Sequence, residues 1–173
     1  MLEGRTREMI FYPKSYVENI KAISVEFLKQ NNIKAVILDM DNTLIDFNKN
    51  ILEGAKQWCD NMKKNGIKLI IVSNSNKKEK LNRVADELDL EYILFAMKPL
   101  KIGFKKAIKK LGESPENVAA VGDQIFTDVL GANIAKMYSI LVKPLDKKDI
   151  LLTIVKRPFE NYILKKYLEK ENN

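Results

Sequence analysis

Histidine is absent from the sequence, and cysteine occurs once, as Cys59. No Ser-His-Asp or Cys-His nucleophilic arrangement can therefore be assembled. A zinc site built from Cys and His is excluded, and so is an intrachain disulfide. A lone cysteine fits a reducing compartment. Cys59 also lacks the arginine six residues on with which a cysteine-based phosphatase grips phosphate; Asn65 stands there. Glycine (7) and proline (5) are sparse and scattered, and nothing reads as an interdomain linker. Neither G-x-x-x-x-G-K-[ST] nor G-x-G-x-x-G occurs. No stretch approaches the roughly 18 apolar residues that span a bilayer; runs such as Tyr92–Met97 are short. The first residues carry charges of both signs and no apolar segment, which is not a signal peptide. The expected setting is cytoplasmic, with peripheral contact at an inner membrane face left open.

What is present is an ordinary globular composition. Of 173 residues, 46% are hydrophobic and 31% charged. That length suits one domain spanning 1–173, with core enough to need no disulfide or structural metal. Lys and Arg total 30 against 23 Asp and Glu, a net charge of +7. Such a balance favours anionic partners: phosphorylated small molecules, anionic lipid or nucleic acid.

Short apolar runs alternate with helical patterns. Lys34–Asp39, Lys68–Ser73, Glu91–Phe95, Val118–Val121 and Ser139–Val142 read as five strands covered on both faces. Helices are expected at about 51–64, 77–88, 101–111 and 128–136, from apolar spacings of three and four. Two more flank the sheet, an N-terminal helix at about 14–30 and a C-terminal one at about 159–170. The fold class is α/β, a parallel five-stranded sheet with helices on both faces. Ligands of such folds sit beyond the carboxyl ends of the strands. Those ends read Asp39-Met-Asp41, Ser73-Asn74-Ser75, Lys98-Pro99 after the third strand, and Gly122-Asp123-Gln124. Four polar endings should thus converge on one rim.

Asp39 and Asp41 stand two apart, on one side of an extended chain. Two carboxylates at one spot do not both ionise cheaply, so a cation sits between them or one stays protonated. An ionised Asp can attack phosphorus, and a protonated one can donate to a leaving oxygen. Asp123 and Asp128 add hard oxygen donors, which with no His or Cys point to Mg²⁺. The Ser73 hydroxyl and the Lys98 charge suit the oxygens of a transferring phosphoryl group. Each motif alone has a plainer reading as a turn, helix cap or surface charge. Together, in this order and each after an expected strand, they describe a phosphoryl-transfer site.

Asp39-Met-Asp41-Asn-Thr43-Leu44, Ser73, Lys98 and Gly122-Asp123-Gln-Ile-Phe-Thr127-Asp128 resemble motifs I to IV of the haloacid dehalogenase (HAD) superfamily. With Tyr12-Pro-Lys-Ser-Tyr-Val17 upstream and Thr127-Asp128-Val-Leu-Gly131 downstream, the chain resembles the YqeG branch of the subclass IIIA phosphatases over about residues 10–168. That branch is similar to phosphatidylglycerophosphate phosphatases. The resemblance implies a HAD-like Rossmannoid fold and an Mg²⁺-dependent phosphomonoesterase. Asp39 would be the nucleophile, forming an aspartyl-phosphate, and Asp41 the general acid and base. Asp39, Asp41 (through its carbonyl) and Asp123 would hold Mg²⁺, with Asp128 supporting the metal or Lys98. Ser73, Asn74, Lys98 and Thr43 would form the phosphate-binding group, with Thr43 also positioning the motif I loop. Met40 stands where Leu is more familiar.

Between Asp41 and Ser73, and again between Ser73 and Lys98, the sequence holds one helix and one strand. Neither interval leaves room for an inserted cap domain, so the expected site is open unless a second copy of the chain covers it. Residues 98–110 contain six Lys and no acid, a basic helix face able to meet an anionic surface. The resemblance implies phosphatidylglycerophosphate as the preferred substrate. A nucleic-acid end, a sugar phosphate or another soluble phosphomonoester is the alternative, though no aromatic-rich surface supports nucleic acid. A third reading is a non-enzymatic module that binds phosphate or an anionic surface.

Overall fold

The computed structural model describes residues 10–146 and 151–171. Six parallel strands form one sheet: β1 (Ser15–Val17), β2 (Ala35–Leu38), β3 (Lys68–Val72), β4 (Glu91–Ile93), β5 (Val118–Gly122) and β6 (Tyr138–Val142). Their order is β1-β6-β5-β2-β3-β4. Helices α1 (Val25–Gln30), α2 (Ala55–Lys64), α3 (Lys78–Leu88), α4 (Lys101–Leu111), α5 (Leu130–Ile134) and α6 (Leu151–Glu171) complete the fold. A π-helical turn, Ile125–Val129, leads into α5.

Alternation along the strands divides the interior in two. Val36 and Leu38 of β2 join Leu28, Trp58, Met62, Leu81 and Leu88 on the face covered by α1, α2 and α3. Ala35 and Ile37 join Phe104, Ala107, Leu111 and Ala132 on the face covered by α4 and α5. β2 and β5 are buried along their whole length, which explains their unbroken apolar sequences.

Three elements differ from expectation. The sheet has six strands rather than five, because Ser15–Val17 pairs in parallel with Ile140–Val142. The segment 14–30 is therefore a strand, a 3-10 turn at Ile20–Ala22 and a short helix. Ser24 starts that helix, its hydroxyl accepting from Phe27 N at 3.0 Å. The region at 128–136 begins with the π-helical turn, and α-helix proper starts at Leu130. The C-terminal helix starts at Leu151 and carries Pro158 inside it. Its Ile163 and Leu164 pack against Ile125, Val129 and Leu141. Tyr167 is buried, and Leu168 is exposed.

The register sets the site. Leu38 pairs with both Ile71 and Val121, so β2, β3 and β5 end level. β3 and β4 run out from β2 on one side, β5 and β6 on the other, so connections diverge between β2 and β5. The crevice at such a switch point is where open parallel sheets bind ligands.

Candidate active site

Four charged side chains are buried together in that crevice: Asp39 after β2, Lys98 after β4, and Asp123 and Asp128 after β5. Lys98 Nζ donates to Asp39 Oδ1 and to Asp128 Oδ1, each at 2.6 Å. Carboxylate oxygens of Asp39, Asp123 and Asp128 lie within 4.8 Å of one another. With all three ionised, the carboxylates exceed the one ammonium by two negative charges in a nearly dry place, the charge a divalent cation balances. All the donors are hard oxygens, so the set fits Mg²⁺. Thr43 adds a buried Oγ1 with no partner among the described residues.

Burial dominates the ionisation of Asp39. It pushes the carboxyl up, the Lys98 charge pulls it down, and the Asp128 charge raises it again, with a net value of about 7. For Lys98, burial favours the neutral amine, but Asp128 and Asp39 outweigh it and hold the ammonium above the ordinary lysine value. Lys98 is thus a fixed positive charge between the two acids.

Each member has a local support. Gln124 N donates to Asp128 Oδ2 at 3.2 Å, and Thr127 Oγ1 does so at the same distance. Gly122 is required by close approach: a Cβ there would stand 2.2 Å from Asp128 Cγ. Asn74 clamps the Lys98 backbone, its Oδ1 accepting from Lys98 N at 2.6 Å and its Nδ2 donating to Lys98 O at 3.0 Å. Ser73 is buried at the end of β3, and its Oγ accepts from Ser75 N at 3.1 Å. Asn42, left-handed at φ 58°, accepts from Asp146 N on Oδ1 at 3.2 Å and ties down the loop after β2.

Asp41 stands apart from the three grouped carboxylates. Its side chain is partly exposed, and Lys80 Nζ meets Asp41 Oδ1 at 2.5 Å. Lys80 also lines a cavity of about 530 Å³ with Lys49, Lys77, Lys78, Glu79 and Arg83. The Arg83 guanidinium donates to the Lys49 carbonyl, which holds one wall to the other. Sequence reasoning missed Lys80 and this cavity, since nothing separates Lys80 from Lys77 and Lys78 beside it until α3 is placed against Asp41. It also placed Asn74 among the phosphate-binding residues and did not foresee its clamp on the Lys98 backbone. Cys59 takes no part: it is fully buried in the core, and burial pushes its thiol up to about 11.

The arrangement can hold a divalent cation, present a carboxylate to an anion and balance that anion with fixed ammonium charge. Residues 47–136, just over half of the chain, match the family model described as haloacid dehalogenase-like hydrolase. The chain is 36% identical over 155 residues to the probable phosphatase YqeG of Bacillus subtilis (strain 168), covering 89% of this chain and 90% of that protein. Among solved structures, the cobalt-bound deoxy-D-mannose-octulosonate 8-phosphate phosphatase of Haemophilus influenzae superimposes with a TM-score of 0.55 at 19% identity. That match covers 80% of this chain and 91% of the other. An uncharacterized protein from Listeria monocytogenes serotype 4b gives 0.54, again at 19% identity, over 78% and 99% of the two chains.

Proposed function

The chain belongs to the haloacid dehalogenase-like hydrolases, and from that premise we propose that it is an Mg²⁺-dependent phosphomonoesterase using Asp39 as nucleophile. The observation that carries this reading is the buried cluster of Asp39, Asp123, Asp128 and Lys98 at the sheet's switch point. The Asp39 carboxylate attacks phosphorus while the bond from phosphorus to the ester oxygen breaks. Asp41, at the cluster's open edge, gives its proton to the departing alkoxide. The same carboxylate then takes a proton from the water that attacks the aspartyl-phosphate, releasing inorganic phosphate and restoring Asp39. Lys98 and the Ser73 hydroxyl stabilise phosphoryl oxygens, and Asn74 and Thr43 hold the loops that carry the reacting groups. Mg²⁺, held by Asp39, the Asp41 carbonyl and Asp123 with Asp128 beside them, would neutralise charge developing on those oxygens.

The substrate reading is phosphatidylglycerophosphate. Two features support a bulky, doubly anionic substrate. The described chain between β2 and β4 contains only α2, β3 and α3, so no inserted domain covers the cluster. The basic cavity beside Asp41 could take a second phosphate on the leaving group. The test is phosphate release from phosphatidylglycerophosphate in anionic vesicles, with and without Mg²⁺, and with Asp39→Asn as the blank. Release that needs both Mg²⁺ and Asp39 is expected. Turnover retained by Asp39→Asn would sink the nucleophile assignment. Cleavage of an aryl phosphate but not of the lipid would move the substrate to a soluble phosphomonoester.

A further inference from the structure

Four large apolar side chains within eight residues around Lys98 are exposed: Phe95 (59%), Met97 (39%), Leu100 (56%) and Ile102 (48%). Soluble proteins scatter such residues singly; a group of them is a contact surface. The local structure resists this arrangement in two ways. Phe95 and Met97 lie in the left-handed region, at φ 50° and 55°, which is unfavourable for L residues with bulky side chains. Leu100 occupies the N-cap of α4 with no side-chain cap bond, where Ser, Thr, Asp or Asn is preferred. Local rules broken together beside a site point to a role outside the fold's own stability.

The loop is held firmly. Ala96, between the two left-handed residues, is buried against α4, and a Cβ on Gly103 would stand 2.5 Å from its methyl. Ile102 lies by helical spacing beside Lys105 and Lys106. Lys101, Lys105, Lys106 and Lys109 are exposed and have no carboxylate partner among the described residues. Exposed apolar residues flanked by lysines are the pattern that lies in a bilayer interface, ammonium groups among the headgroups and apolar side chains in the acyl boundary. A second copy seated face to face would bring these lysines against their own copies.

We propose that Phe95, Met97, Leu100 and Ile102, with the lysines of α4, form a docking face for an anionic bilayer that sets the Asp39–Lys98 crevice at the lipid surface. This rests on the phosphatase reading for its purpose, but docking itself is measured without turnover. The experiment is co-sedimentation of the full chain, free of Mg²⁺ and substrate, with vesicles of about one-third phosphatidylglycerol in phosphatidylcholine. Neutral phosphatidylcholine vesicles and high salt are the controls. The wild type should bind the anionic vesicles and be released by salt. The triple variant Phe95→Asn, Leu100→Ser, Ile102→Gln should bind about tenfold more weakly or worse. It should melt no lower than wild type, since Asn suits a left-handed φ and Ser suits the N-cap. Its hydrolysis of a soluble aryl phosphate should be unchanged. No vesicle binding by the wild type, equal binding by the variant, or equal binding to neutral vesicles would overturn the proposal. So would an effect confined to self-association, which would make this face a contact between copies. Vesicle binding by a protein that cleaves no phosphomonoester would sink the phosphatase reading and leave the docking face standing.

Discussion

The Lys98 ammonium is fixed by its two carboxylate partners at one end and by Asn74 at the other, where both backbone polar groups of the residue are held by one amide. Removing that amide leaves a buried N–H and C=O without their partner, a loss of about 1–3 kcal/mol. It also frees the lysine to shift, and a misplacement of about 1 Å can cost roughly 100-fold in rate. Asn74→Ala is therefore expected to lower kcat by about 10- to 100-fold while the circular dichroism spectrum stays that of the wild type. Wild-type kcat on an aryl phosphate would remove Asn74 from the machinery. Asp39, Lys98, Asp123 and Asp128 were legible because their chemistry lies in residue type and in position after a strand. The use of Asn74 was not, because an Asn following Ser at a strand end reads equally well as a helix cap. Lys80 was hidden for a different reason, since its partner Asp41 is 39 residues away and only the placement of α3 joins them.

At the scale of elements, the ends of β2 and β5 do most of the positioning. Asp39 N donates to Val121 O at 2.8 Å, so the motif I loop and the loop of Asp123 leave the sheet from hydrogen-bonded neighbours. The π-helical turn then folds Asp128 back over Gly122. On the other side, Phe126 N donates to Glu160 Oε1 of α6 at 3.0 Å, which ties that turn to the C-terminal helix. Gly122→Ala tests the close approach. The new methyl would meet the Asp128 carboxylate at 2.2–2.5 Å, and Asp128 has to move. Turnover and the Mg²⁺-induced rise in melting temperature should both fall, the rate by about tenfold or more. An unchanged rate would mean that Asp128 can leave its place without consequence. The central strands and the helices between them were readable from apolar period alone. β1 was not, because three residues carry no period and their strand character comes from pairing with β6, about 125 positions away. Within the segment 14–30 only Val25–Gln30 is α-helix, with Val25 and Leu28 buried at helical spacing.

For the molecule as a whole, the buried cluster is a cost to folding as well as a site. Without metal, burial holds the Asp39 carboxyl at about 7 against an ordinary 3.8, with Asp128 adding to the rise and Lys98 opposing it. Between those two values the folded chain keeps a proton that the unfolded chain gives up. This group's contribution to stability is therefore complete below the unfolded value and is lost as pH rises through about 7. Metal-free protein should melt at a higher temperature near pH 5.5 than near pH 8, measured at constant ionic strength. Asp39→Asn, which does not ionise, should flatten that part of the slope. Mg²⁺ should act in the opposite sense, because a cation that binds the folded chain through ionised carboxylates stabilises it more as pH rises. Saturating Mg²⁺ should then raise the melting temperature at pH 8 by more than at pH 5.5. A metal-free melting temperature that climbs steadily toward pH 8 would mean that the buried carboxylates are already compensated by Lys98. In that case the two excess negative charges would no longer argue for a divalent cation, and metal dependence would rest on the activity assay alone.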